Sequence, residues 1–155
     1  MFIPDDDFKL ILDSVPIICV DILPFGDNWT QVLLAKRNFE PNKGQWRSTG
    51  GRVLKRESIE EAAVRQARQE LGIDINFDKM IFGGVISEVW DNSIYEGVGY
   101  HAITIYYGFL VDDELQIRLD NQHSEYRWFD NTDPNIEPEI QERVQNITNK
   151  LSINI

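Results

Sequence analysis

Apolar residues recur along this chain at two different periods, and each change of period marks an element. Between Asp5 and Asp13, Phe8, Ile11 and Leu12 recur at helical spacing, which predicts a short helix with those three facing inward and Pro16 ending it. Ile17 to Leu23 is a continuous β-type run broken only by Asp21. Gly26-Asp27-Asn28 is a turn signal, so Trp29 to Lys36 reads as a second strand completing a hairpin. Pro41 to Gly44 forms a loop leading to Trp46 and the Gly50-Gly51 pair. Met80 to Trp90 and His101 to Val111 are β-rich, with a polar loop from Asp91 to Gly99 between them. Tyr126 to Phe129 reads as a short last strand. Pro138 then opens a C-terminal helix with Ile140, Val144, Ile147 and Leu151 on one stripe.

The central helix carries the clearest local signals. Ser58 and Glu61 form a capping box, which starts the helix at about Ser58. Ile59, Ala62, Ala63, Ala67 and Leu71 make its apolar stripe, and Gly72 is a natural stop. Strands with a central and a terminal helix predict the α/β class, an α/β/α sandwich around a mixed sheet. There is no internal repeat or low-complexity linker, and 155 residues suit a single domain spanning 1–155.

Composition narrows the partners. Hydrophobic residues at 42% and charged ones at 26% are ordinary for a globular chain. The net charge of -11 argues against nucleic acid, whose phosphates need a basic face. A small nucleotide stays open, because local arginines and a metal can supply positive charge. Cys19 is the sole cysteine, so no internal disulfide forms; its apolar run reads as a buried, inert thiol in a reducing compartment. The N-terminus lacks the basic start and long apolar core of a signal peptide, and no stretch approaches the ~20 apolar residues of a spanning helix. These features point to a cytoplasmic protein with no membrane partner.

Candidate chemistry gathers at two places. Gly51, Glu57, Arg65, Glu70, Gly72 and Ile73 follow in order across a glycine-led loop and the helix it feeds. Such an element can hold a divalent cation against a diphosphate. Gln66, Gln69 and Glu70 are spaced three and four apart, which predicts that all three share a face. The second place is D-N-Q-H-S-E-Y-R-W, read as a loop before the last strand. There His123 titrates near working pH and can take a proton from water, while Gln122 offers a neutral oxygen to a hard cation. Asp21, an acid inside an apolar strand, is costly unless partnered, so it is assigned to a sugar or base hydroxyl or to an arginine.

The first run resembles the Nudix hydrolase signature, G-x5-E-x7-R-E-U-x-E-E-x-G-U with U a bulky apolar residue, except that Gln66 and Gln69 replace glutamates and Ala67 stands at U. A closer resemblance, to GDP-mannose mannosyl hydrolases, is carried by Val15-Pro16 through Asp21, Leu33 to Arg37, Gly44-Gln45-Trp46, Gly50 to Ile73, and Gln122-His123 with Tyr126-Arg127-Trp128. That family lacks the same two glutamates. The resemblance implies the Nudix fold and one Mg²⁺ per subunit, which Mn²⁺ can replace, held by Glu70, the Gly50 carbonyl and Gln122. It implies His123 as the base for a water that attacks the anomeric carbon with inversion. GDP is then the leaving group, with Arg37 and Arg52 on its phosphates. GDP-mannose, or GDP-glucose, would be the substrate and a homodimer the assembly. Glu57 and Glu60 are left behind the metal or simply solvated. Glu88 stands where the family can present a histidine to the sugar. Phe8 is a candidate for stacking on guanine, and Tyr100, His101, Tyr106 and Tyr107 are candidates for reaching the phosphates. Two other readings remain open: a Nudix pyrophosphohydrolase cleaving between phosphates, which would favour the missing glutamates, and a binding module with a decayed site.

Overall fold

In this computed structural model, which describes residues 2–112 and 114–153, three helices cover the two faces of a seven-stranded mixed sheet. The elements in chain order are α1 (Asp5–Ser14), β1 (Ile17–Gly26), β2 (Gln31–Arg37), β3 (Trp46–Arg47), β4 (Thr49–Arg52), α2 (Ile59–Leu71), β5 (Ile81–Trp90), β6 (Tyr100–Leu110), β7 (His123–Asp130) and α3 (Pro138–Ile153). This is the expected α/β sandwich around a mixed sheet.

Local chemistry sets the helix ends. Val15, held extended at φ -146° and ψ 151° by the proline after it, closes α1. The Ser58 hydroxyl accepts from the Glu61 N–H at 3.1 Å, and the Glu61 carboxylate accepts from the Ser58 N–H at 2.8 Å, so two orphan donors of α2 are satisfied. Gly72 ends α2 in the left-handed region at φ 69°.

The sheet departs from the sequence expectation at three points. The first is the hairpin. β1 pairs with β2 only at Phe25↔Val32 and Gly26↔Gln31. Farther along, β4 takes that edge of β1, from Cys19↔Arg52 to Ile22↔Thr49, and β2 pairs along its length with β7. Second, β2 begins at Gln31 rather than Trp29. Asp27, Asn28 and Trp29 take positive φ in a 3₁₀ turn, and the Trp29 ring packs on Phe25 at 5.0 Å between centroids. Third, β7 starts at His123, in register with Arg37, so His123 is a strand residue and not a loop one. The partner strand, rather than side-chain composition, extends it.

β1 and β6 run parallel at the centre, with Ile17 opposite Ala102 and Asp21 opposite Tyr106. One sheet face meets α2: Val20, Ile22, Tyr107 and Phe109 pack with Ala62, Ala63, Ala67 and Leu71. The opposite face carries two apolar clusters. Ile17, Cys19 and Ala102 lie under Leu12 of α1, and Leu23, Phe25 and Tyr106 lie under Ile140, Val144 and Ile147 of α3. Along β1 the residues of this face run Ile17, Cys19, Asp21, Leu23 (period two). Asp21 therefore falls between the two clusters and opens a polar seam there. Among the described residues, no helix is long and apolar enough to cross a membrane.

Candidate active site

The seam is a cavity of about 220 Å³. Asp21 of β1, Glu88 of β5 and Thr104 of β6 line its floor, Gly50, Gly51 and Arg52 of β4 line one wall, and Arg37 and Gln122 also border it. Of the residues singled out in the sequence, Asp21, Arg37, Gly50, Arg52 and Gln122 thus meet at one cavity. Glu70 and His123 do not line it; each is buried behind a residue that does.

Glu70 lies on α2 and is 1% exposed. Its Oε2 accepts from the Gly50 N–H at 2.9 Å. With the Gln66 amide nitrogen turned toward it, its Oε1 accepts at 2.9 Å, and the Gln66 oxygen then accepts from Gly51 N–H at 3.2 Å. An amide donor therefore occupies the place of one family glutamate and locks the carboxylate that remains. Gln69 corrects the expectation of a shared face. It is exposed and accepts from Arg65 at 3.0 Å, because its position on the helix turns it outward. Gly50 has φ +153°, and a Cβ there would lie 2.3 Å from the Val20 carbonyl oxygen, so glycine is required for β4 to approach β1.

Burial, opposed by the Gly50 N–H and reinforced by the negative charges of Asp120 and Asp21, pushes the Glu70 carboxyl up to about 8. The folded protein then holds this proton up to about pH 8, while the unfolded chain releases it near the ordinary carboxyl value of 4.5. Glu70 protonation thus contributes stability that is complete below the unfolded value and is lost as pH rises through the folded one. In chelator, the melting temperature is expected to fall between about pH 5 and 8 more steeply than in Glu70→Gln. Thermal melts across that range check it, and equal slopes would rule out the assignment.

Asp120, which the sequence reading missed, organises the second motif. Its Oδ1 accepts from the Gln122 N–H at 3.1 Å and lies 3.0 Å from His123 Nδ1, and its Oδ2 accepts from Gln122 Nε2 at 2.9 Å. A signal was available, since an aspartate two residues before an N–H it caps is an Asx-turn. His123 is 5% exposed, and its Nε2 is buried with no partner among the described residues. Burial lowers the affinity of the ring for a second proton, and Asp120 partly restores it.

The floor holds a charge network built from distant parts of the chain. Asp21 Oδ2 accepts from Ser48 Oγ at 2.8 Å and from Arg143 Nη1 of α3 at 2.7 Å. Arg143 also donates to Glu88 Oε1, which accepts from Arg47 at 3.2 Å, while Glu88 Oε2 accepts from Thr104 at 2.9 Å. Arg47 reaches on to Glu139. Of the alternatives left for Asp21, the structure supplies an arginine, and Arg143 is only 1% exposed. Burial raises the Glu88 carboxyl despite Arg143.

Glu57 lies outside the cavity wall. It takes a two-point bond from Arg65, at 2.5 and 2.9 Å, and caps the Leu54 N–H at 2.8 Å, which fastens the loop to α2. Arg37 donates its Nε to the Pro41 carbonyl at 2.8 Å. The Arg52 guanidinium lies 4.9 Å from the Phe8 ring centroid, so the candidate for stacking on guanine already faces a cation. Of the four phosphate candidates only Tyr100 lines the cavity. His101 bonds Ser87, Tyr106 bonds Asn146 under α3, and Tyr107 packs with Phe77 and Phe82 beside α2. The alternation of β6 turns His101 and Tyr107 to the other face from Tyr100, and distance along the strand separates Tyr106 from it. The Cys19 thiol lies 3.4 Å from the Tyr100 hydroxyl and burial pushes it up to about 12, so it is inert at neutral pH.

Among the described residues, no three Asp, Glu, His or Cys side chains converge as a metal cluster. A divalent cation still fits the donor chemistry. Glu70 is a buried carboxyl whose ionisation the charges of Asp120 and Asp21 disfavour and Arg37 only partly restores, so a cation would stabilise its charged form, and Gly50 and Gln122 offer neutral oxygens to a hard ion.

The profile of the NUDIX domain family matches residues 15–149. The low-salt glycan biosynthesis protein Agl8 of Haloferax volcanii is 34% identical over 130 residues, 83% of this chain and 80% of that protein. A MutT protein from Methanosarcina mazei Go1 superposes with a TM-score of 0.70 at 20% identity, covering 89% of this chain and 97% of its own. The NUDIX domain of Shewanella oneidensis NrtR, solved with ADP ribose, gives 0.68 at 17% identity, covering 96% and 99%. The glycine-led loop and its helix are thus a Nudix box on a Nudix fold, and this chain belongs to the Nudix family as a hydrolase of a nucleotide derivative.

Proposed function

We propose that this protein hydrolyses a nucleotide sugar, GDP-mannose or GDP-glucose, to the nucleoside diphosphate and free hexose, with attack at carbon. One observation carries the reading: Gln66 occupies a carboxylate position of the box and donates to Glu70, while Gln69 points away. The helix therefore presents a single inner carboxylate, which suits one cation on a leaving diphosphate better than several cations directing water at phosphorus. The name of the glycan biosynthesis relative agrees with a sugar-bearing substrate.

In this reading Glu70, Gly50 and Gln122 hold Mg²⁺, or Mn²⁺ in its place. Bound there, the cation supplies Lewis-acid stabilisation of charge growing on the leaving diphosphate. Arg37 and Arg52 bind phosphate oxygens from the cavity wall. His123 Nε2 takes the proton of the water whose oxygen bonds to the anomeric carbon. The bond from that carbon to the diphosphate oxygen breaks, and the electron pair leaves with the nucleotide. Because Nε2 is sealed in the structure described, the 120–123 segment must yield to admit that water.

That burial favours a second reading, cleavage between the phosphates with His123 as a support. Incubation of GDP-mannose with the protein and Mg²⁺ in ¹⁸O-labelled water separates the two. The expected products are GDP and mannose carrying the label. GMP with mannose 1-phosphate, labelled on phosphate, would overturn attack at carbon.

A further inference from the structure

We propose that Asp120 is a positioning residue that presets both members of the Gln122–His123 pair, the hydrogen on His123 and the amide orientation of Gln122. The inference rests on the proposed function for its purpose, but not for its geometry. A carboxylate accepts hydrogen bonds and donates none. The contact of Asp120 Oδ1 with His123 Nδ1 at 3.0 Å therefore places the ring hydrogen of neutral His123 on Nδ1. Nε2 keeps its lone pair, and it is the atom left without a partner among the described residues. The same logic fixes Gln122. Oδ2 of Asp120 takes the amide nitrogen at 2.9 Å, so the amide oxygen becomes the free end of a side chain that borders the cavity. One carboxylate thus selects a proton acceptor on one neighbour and an oxygen ligand on the other.

The loop holds Asp120 in place for this. Its N–H donates to the Glu70 carbonyl at 3.3 Å, at the end of α2. Asn38 clamps the other side, donating its N–H to the Gln122 carbonyl at 2.8 Å and its amide to the Asn121 carbonyl at 3.0 Å. Partners that orient a ligand or a base in this way are worth roughly 10–100-fold in affinity or activity.

The chain has only two histidines, His101 and His123, so long-range ¹H–¹⁵N spectra of the labelled protein resolve both rings. At about pH 8 and without substrate, the expected result is His123 protonated on Nδ1 in the unaltered protein. In Asp120→Ala no side-chain acceptor faces Nδ1, so an Nε2–H form should become populated, with kcat lower by about 10–100-fold and KM within about threefold. An Nε2–H ring in the unaltered protein, or an unchanged ring in Asp120→Ala, overturns the proposal. The spectra need no turnover. If the Nδ1–H form is present but GDP-mannose is not hydrolysed, the proposed function fails and the role of Asp120 in selecting the tautomer stands.

Discussion

His123→Gln is expected to lower kcat for nucleotide-sugar hydrolysis by about 10²–10⁴-fold, the usual contribution of a positioned general base. Nucleoside diphosphate binding in the presence of Mg²⁺ should change by less than about threefold. The two readouts divide because His123 does not line the cavity, whereas Arg37, Arg52 and Gln122 do. Glutamine keeps a polar group near Asp120 but has no ring nitrogen to accept a proton and pass it on. Steady-state kinetics and GDP titration on the same preparation check the split, with a thermal melt to show that the buried site, 5% exposed in the native protein, still packs. Retained turnover would remove His123 from the reaction and favour the reading in which water is directed at phosphorus.

Arg143→Met is expected to destabilise the protein by about 3–5 kcal/mol, the usual result of removing one partner from a buried ionic group. Arg143 is the cation that Asp21 and Glu88 share, bonded to Asp21 at 2.7 Å and to Ser48 at 3.0 Å. Methionine has comparable volume and no charge, so the loss is electrostatic rather than a cavity. Two carboxylates would then face each other across the floor, with Arg47 left to serve Glu88 and Ser48 to serve Asp21. Burial already raises the Glu88 carboxyl, so it should take up a proton first, and the penalty should shrink as pH falls. Denaturant unfolding at neutral and acidic pH measures both effects. A loss below about 1 kcal/mol at neutral pH would mean that solvent reaches the floor and screens the pair.

Each prediction draws on a different range of the chain, and that range decides what a sequence can reveal. The capping box of Ser58 and Glu61, the stop at Gly72 and the box order from Gly51 to Ile73 are written within a few residues of one another. Helix geometry converts such spacing directly into contact. The layers were legible for the same reason, because period two and period 3.6 identify strands and helices. Local spacing misled where a neighbour intervened. Gln69 shares the spacing of Gln66 and Glu70 but faces outward toward Arg65, and β7 runs back to His123 because β2 lies beside it.

By itself, the sequence determined the sandwich, the box helix, the lone inner carboxylate of that helix and the set of residues able to do chemistry. Only the tertiary structure decided which of them meet. Asp21 and Arg143 are 122 residues apart and are joined by the packing of α3 on the sheet. His101, Tyr106 and Tyr107 are kept from the cavity by the alternation and length of β6, and His123 is sealed by the strand it begins. Contacts at such separation follow from how faces are stacked and registered, which local spacing does not encode.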